Sequence, residues 1–328
     1  MKASIKKQYR TIQTIFMILL IILLISAISM TFVYYKVSNA LIHRTSEKRI
    51  EISLNPEKFS WEEVVFKSKK DNLTLKGTFF YAKVPSNRTL IVVHGYDENR
   101  LAAGRTKRLV KYLTPRGYNV FAFDLRGHGN SDGDLISFGY YEKYDVLGAV
   151  DYLKERGEVG EKIGLVGFSM GAVTSIEAVG EDERVDALIA DSAFRDLKLF
   201  IMDDINTLPH NLNIVSNNVG GLSYWSILRH FPYKNKVIIM IAKIYDLNID
   251  EVSPMRTVKN MHSQPIFLIH GKNDKVIPYT NSEVIFKSLK NNSNAVFWIA
   301  EKAGHTDSLK MYSEEYLKRI KTFLDKNM

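Results

Sequence analysis

The sequence predicts an α/β protein, a mostly parallel sheet with helices on both faces, behind one N-terminal transmembrane helix. Three observations lead there. Five runs (LIVVHG, VFAFD, IGLVGF, ALIAD and IFLIHG) are almost continuously apolar, as strands covered on both faces must be. Amphipathic stretches separate them, the alternation a parallel sheet requires. Ahead of them, the 25 residues between Arg10 and Lys36 carry no charge.

That uncharged segment holds the unbroken run IFMILLIILLI from Ile15 to Ile25. As a helix it spans about 37 Å, enough to cross a hydrocarbon core of about 30 Å. Tyr34 and Tyr35 close it, where aromatic rings favour the interface. Its length exceeds the roughly 7–15 apolar residues of a cleaved signal peptide, so residues 1–36 are expected to be a basic tail and retained anchor. The alternative is a secreted chain cut near Ser38 and Ala40. Lys2, Lys6, Lys7 and Arg10 precede the segment and Lys36, Arg44, Lys48 and Arg49 follow it, a near tie for orientation. The short basic N-terminus and the absence of cysteine argue for a domain outside the cytoplasm.

Residues 37–60 are polar and mixed in charge, and are expected to form a stalk or short helix leading into the fold. Strands are expected at 63–67, 73–82, 89–94, 119–124, 162–168, 187–191, 265–270 and 295–300, the first two as an antiparallel pair. Helices are expected near 101–114, 142–156, 171–180, 279–290 and 310–326. Residues 195–254 break the rhythm with LPHNLNIVSNNVGGLSYWSILRHFPY and KVIIMIAKIYDL. A structureless loop of that length is improbable, so a helical cap insertion is expected there.

Composition narrows the chemistry. The chain has 328 residues, 45% apolar, and no cysteine, which excludes disulfides, thiolate metal sites and a cysteine nucleophile. Its net charge is +9, but four of those charges precede the apolar segment, which leaves +5 on residues 36–328. No basic stripe or nucleic-acid module accompanies them, so nucleic acid is not an expected partner. The eight histidines show no metal-ligand spacing, and neither a metal nor a cofactor is expected.

The sharpest motif is GFSMG, Gly167 to Gly171, between the strand KIGLV and the helical AVTSIEAV. There a serine sits on a strained strand-to-helix turn, with Gly167 and Gly171 permitting close backbone approach. Ser169 needs a base, and the base needs an orienting carboxylate. Asp274 follows the strand IFLIHG, 105 residues on, and His305 follows the last strand 31 residues later. Backbone N–H groups of Met170, after the nucleophile, and Tyr96, after LIVVHG, are the expected oxyanion hole. His94 and Gly95 would shape that turn. Asp191, after ALIAD, is the alternative acid.

These motifs, VVHGYDENR, FDLRGHGNSDG, GFSMG, HGKNDKVIP and AGHTD, resemble the α/β-hydrolase superfamily over about residues 61–326. The branch that looks most similar contains the monoglyceride lipases and serine aminopeptidases. The resemblance implies an eight-stranded sheet over residues 61–328 with a cap inserted after the sixth strand. It implies bracing roles for Arg126, Gly127, His128, Gly129 and Ser131, and loop support from Glu142 and Asp145. The segment HGY departs from the HGGG of hormone-sensitive-lipase-like esterases. The expected function is a membrane-anchored serine hydrolase acting on small-molecule or lipid-like acyl esters. A peptidase on the same groups is the alternative, for which only Asp203 and Asp204 offer acidic partners in the cap. A non-catalytic anchored binding module is the third.

Overall fold

The computed structural model describes residues 2–43, 59–202, 218–219, 222–223 and 234–328. In chain order the strands are β1 (Trp61–Lys67), β2 (Thr74–Phe80), β3 (Arg88–Val93), β4 (Asn119–Phe123), β5 (Lys162–Phe168), β6 (Ala187–Asp191), β7 (Asn218–Val219), β8 (Leu222–Ser223), β9 (Ile266–Gly271) and β10 (Ala295–Ala300). The helices are α1 (Lys2–Ile42), α2 (Arg105–Leu113), α3 (Glu142–Glu155), α4 (Met170–Glu181), α5 (Leu197–Met202), α6 (Lys234–Tyr245), α7 (Pro254–Thr257), α8 (Thr280–Ser288), α9 (Ser308–Met311) and α10 (Ser313–Asn327).

Among the described residues one eight-stranded sheet runs in the order β1-β2-β4-β3-β5-β6-β9-β10. The pairs β1–β2 and β2–β4 are antiparallel, and the others are parallel. Central strands β4, β6 and β9 are buried at every position, whereas edge strands β1 and β10 are half exposed. Side chains alternate between the faces with period two. Phe121, Phe123, Ile163 and Leu165 face a core layer built with α3 and α4. Val120, Ala122, Val166 and Phe168 face a second layer built with α2 and α10. The register aligns Val93 with both Phe123 and Gly167, and Asp191 with both Phe168 and Ile269. The loops after β3, β4, β5, β6, β9 and β10 therefore all leave from one edge, the carboxyl edge of the parallel strands.

Residues 37–42, at the start of the stretch expected as a stalk or short helix, complete α1, and no glycine or proline interrupts the helix before Ile42. Ile42 is buried, its carbonyl accepts the Ile136 N–H at 2.7 Å, and His43 bridges to Leu135. The window Ile5–Phe32 is long and apolar enough to be a membrane anchor or a signal sequence, with mean hydropathy 2.8. The insertion after β6, expected to be helical, is not wholly so. Between α5 and α6 it carries the short antiparallel ladder β7–β8, while Asp203 and Asp204 lie outside the described residues.

Candidate active site

Ser169 sits between β5 and α4 at φ 55°, ψ −120°, a conformation that costs a non-glycine residue roughly 1–3 kcal/mol. The flanking glycines let the turn close. A Cβ on Gly167 would lie 2.3 Å from the Gly171 carbonyl oxygen, and one on Gly171 would lie 2.3 Å from that of His94. The Ser169 N–H donates to the Asp191 carbonyl at 2.8 Å, which pins the turn to the neighbouring strand.

Three loops bring a serine, a histidine and a carboxylate together. His305 Nε2 lies 2.9 Å from Ser169 Oγ, and His305 Nδ1 lies 2.7 Å from Asp274 Oδ2. With Nδ1–H donating to the carboxylate, the neutral ring presents Nε2 as an acceptor to the serine hydroxyl. The second oxygen of Asp274 accepts the N–H groups of Val276 and Ile277 at 2.8 Å each. Burial opposes the charge on Asp274, but hydrogen bonds from His270 and His305 outweigh it and hold the carboxyl well below its usual range. Asp191 takes another position. Its Oδ1 accepts the Ser192 hydroxyl, and burial pushes its carboxyl up to about 6.

The loop after β3 lies directly over the elbow, since a Cβ on Gly95 would stand 3.4 Å from Ser169 Cβ. Two buried histidines set its peptides. His94 Nε2 accepts the Leu125 N–H at 3.1 Å, so Nδ1 carries the proton and donates to the Gly95 carbonyl at 2.8 Å. A trans peptide points its N–H opposite its carbonyl, which turns the Tyr96 N–H away from His94. His128 Nε2 accepts the Asp97 N–H at 3.2 Å, and its Nδ1 donates to the Arg126 carbonyl at 2.7 Å. Burial lowers both rings to about 4, which keeps them neutral. On the other side of Ser169, the Met170 N–H opens α4 and has no acceptor within that helix.

A family model described as serine aminopeptidase, S33, matches residues 85–236. Protein YqkD of Bacillus subtilis is 30% identical over 239 residues, 72% of this chain and 71% of the relative. The chain is an α/β-hydrolase of the serine aminopeptidase family. The structure of the Pyrococcus furiosus esterase Pf2001 superposes with a TM-score of 0.65 at 25% identity, covering 85% of this chain and 98% of the esterase. A carboxylesterase of Bacillus subtilis is 23% identical over 257 residues, 73% of this chain and 93% of that enzyme.

Around its site this α/β-hydrolase has partners that the motifs alone did not reveal. His270 is fully buried at the end of β9, with Nε2 2.8 Å from the Ile277 carbonyl and 3.2 Å from Asp274 Oδ2. A carbonyl only accepts, so Nε2 carries the proton and Nδ1 accepts the Ser282 hydroxyl at 2.7 Å. A lone histidine inside the apolar run IFLIHG was the available signal. Arg105 pairs with Glu98 and donates to Thr306 Oγ1 at 3.1 Å, while Glu98 accepts the Gly95 N–H at 2.8 Å. One guanidinium thus ties the loop beneath Tyr96 to the residue after His305. Arg126 pairs with Asp145 at 2.7 Å and with Asp71 at 2.6 Å, and Glu142 accepts the Ser137 and Gly139 N–H groups. Both carboxylates therefore support loops, as the resemblance implied.

Proposed function

We propose that this hydrolase cleaves carboxylic esters by acyl transfer to Ser169. The observation that carries the reading is the hydrogen-bonded series Ser169–His305–Asp274. His305 Nε2 takes the hydroxyl proton as Oγ attacks the ester carbonyl. The Tyr96 and Met170 N–H groups stabilise the resulting oxyanion from opposite sides of the elbow. Collapse expels the alcohol, which takes the proton from His305 and leaves an acyl-enzyme. Water then attacks with His305 as base, and the carboxylic acid departs. Asp274 holds the His305 tautomer and stabilises the imidazolium. Each step is complete without a metal or cofactor.

The substrate class follows from the esterases among the relatives and from α1. The α/β domain works beside a bilayer as a single-pass membrane protein facing out of the cytoplasm, on small-molecule or lipid-like acyl esters. Engagement of Ile42 and His43 by the folded domain supports a retained helix over a cleaved one. The family description favours a second reading, a peptidase on the same groups. The test assays chromogenic esters of graded acyl length beside aminoacyl anilides, with fluorophosphonate labelling of Ser169. Ester turnover and labelling that vanish in Ser169→Ala are expected. Turnover that survives the substitution would remove Ser169 from its role, and anilide turnover alone would select the peptidase. Absence of both turnover and labelling would leave a binding module.

A further inference from the structure

The end of α1 docks onto the same edge of the sheet that carries the site. Leu135 and Ile136, which receive His43 and Ile42, lie in the connection leaving the carboxyl end of β4. Two residues further on, Phe138 stacks on Tyr96 with ring centroids 5.2 Å apart and planes 7° apart. The contact also reaches the insertion. Tyr245, the last residue of α6, donates its hydroxyl proton to Asn39 Oδ1 at 2.9 Å and receives His43 Nε2–H at 2.8 Å. The Asn39–Tyr245–His43 contact is a clasp between the N-terminal helix and a helix of the insertion that follows β6.

Its height above the membrane follows from helix geometry. Asn39 is seven residues beyond Phe32, the end of the apolar window, which at 1.5 Å per residue is about 10 Å. The headgroup layer is about 5–8 Å deep on each side, so the clasp stands at its outer margin. Tyr35 is closer to the hydrocarbon and within electrostatic reach of Tyr245. On α6, Ile239 and Ile244 are 52% and 45% exposed. Branched apolar side chains beside a membrane-entering helix gain free energy by facing lipid rather than water.

We infer that the clasp turns the carboxyl edge of the sheet toward the bilayer and seats α6 against the leaflet surface, so that esters whose acyl chains lie in the leaflet reach Ser169 past α6. The orientation rests on the reading of α1 as a retained membrane anchor, and the route for substrate rests in addition on the ester-hydrolase reading. The full-length protein in nanodiscs tests both. The chain lacks cysteine, so Ile244→Cys and, at the opposite edge of the sheet, the exposed Val84→Cys each accept one environment-sensitive fluorophore. Nitroxide-bearing lipid should quench the label at 244 at least about twice as strongly as the label at 84. Equal or reversed quenching overturns the orientation. The second arm uses Tyr245→Phe, which keeps the ring and removes both hydrogen bonds. Turnover of a long-chain ester dissolved in the nanodisc should fall roughly three- to tenfold, the loss of one or two hydrogen bonds, with a water-soluble short-chain ester unchanged. An unchanged long-chain rate, or equal losses on both esters, overturns the substrate route. If the unsubstituted protein turns over neither ester, ester hydrolysis and the substrate route fall together, while the quenching still decides the orientation.

Discussion

At the residue scale, neutral buried histidines do much of the positioning. His270 spends its one N–H on Ile277 and Asp274, and so holds the carboxylate at the distance His305 needs. Replacing it removes a hydrogen bond to a charged group, about 1.5–3 kcal/mol. His270→Phe should therefore lower kcat roughly 10- to 100-fold with KM within about twofold, measured by steady-state kinetics on folded protein. A change confined to KM would show that His270 shapes binding instead. His94 and His128 make a different statement. Held near 4 against an ordinary value of 6.5, they stay neutral in the fold while the unfolded chain takes up protons first. Stability from this pair is complete above about pH 6.5 and is lost as pH falls toward 4. In urea titrations across that window, His128→Asn should show a shallower acid loss, by about one proton or 1.4 kcal/mol per pH unit. An unaltered slope would mean that the ring protonates freely in the fold.

At the element scale, α4 follows the strained Ser169 turn and carries a cost of its own. Glu177 is buried within it, its Oε2 accepts the Thr257 hydroxyl at 2.6 Å, and its Oε1 has no hydrogen-bond partner among the described residues. Burial pushes this carboxyl up to about 7 despite Thr257 and the Lys143 charge. The folded chain then holds a proton that the unfolded chain has released above about 4.5, so stability declines from there through pH 7. Glu177→Gln should melt above the unsubstituted protein at pH 8 and converge with it below about pH 4.5. The difference is about 3 kcal/mol at most by linkage, and a melting difference independent of pH would refute the assignment. The central strands and their helices were legible because burial on both faces forces continuous apolar runs, as in IGLVGF and IFLIHG. The insertion was less legible, since β7 and β8 pair through two residues each and no period is detectable over so short a run. Ser169, Asp274 and His305 were legible because each follows a readable strand. Arg105, Glu98 and Thr306 were not, since they meet through folding and share no sequence spacing.

For the molecule as a whole, the end of α1 shows local sequence and tertiary packing acting together. Polarity marked residues 37–60 as a stalk or short helix, and the helix continues to Ile42, which finds a buried slot. At Ser169 local and global preference compete. There the fold holds a side chain in a backbone conformation suited to glycine. The native state therefore sits higher in free energy than this scaffold requires, and the surrounding packing carries the excess. Ser169→Gly removes both the hydroxyl and the steric conflict. Thermal denaturation should place it a few degrees above the unsubstituted chain, as roughly 1 kcal/mol of relief implies for a domain this large. A lower midpoint would show that the hydrogen bond to His305 outweighs the strain. The higher midpoint has an evolutionary corollary: selection for thermal robustness alone would erode this position toward glycine, so a serine persists at the elbow only in lineages where its chemistry is under selection.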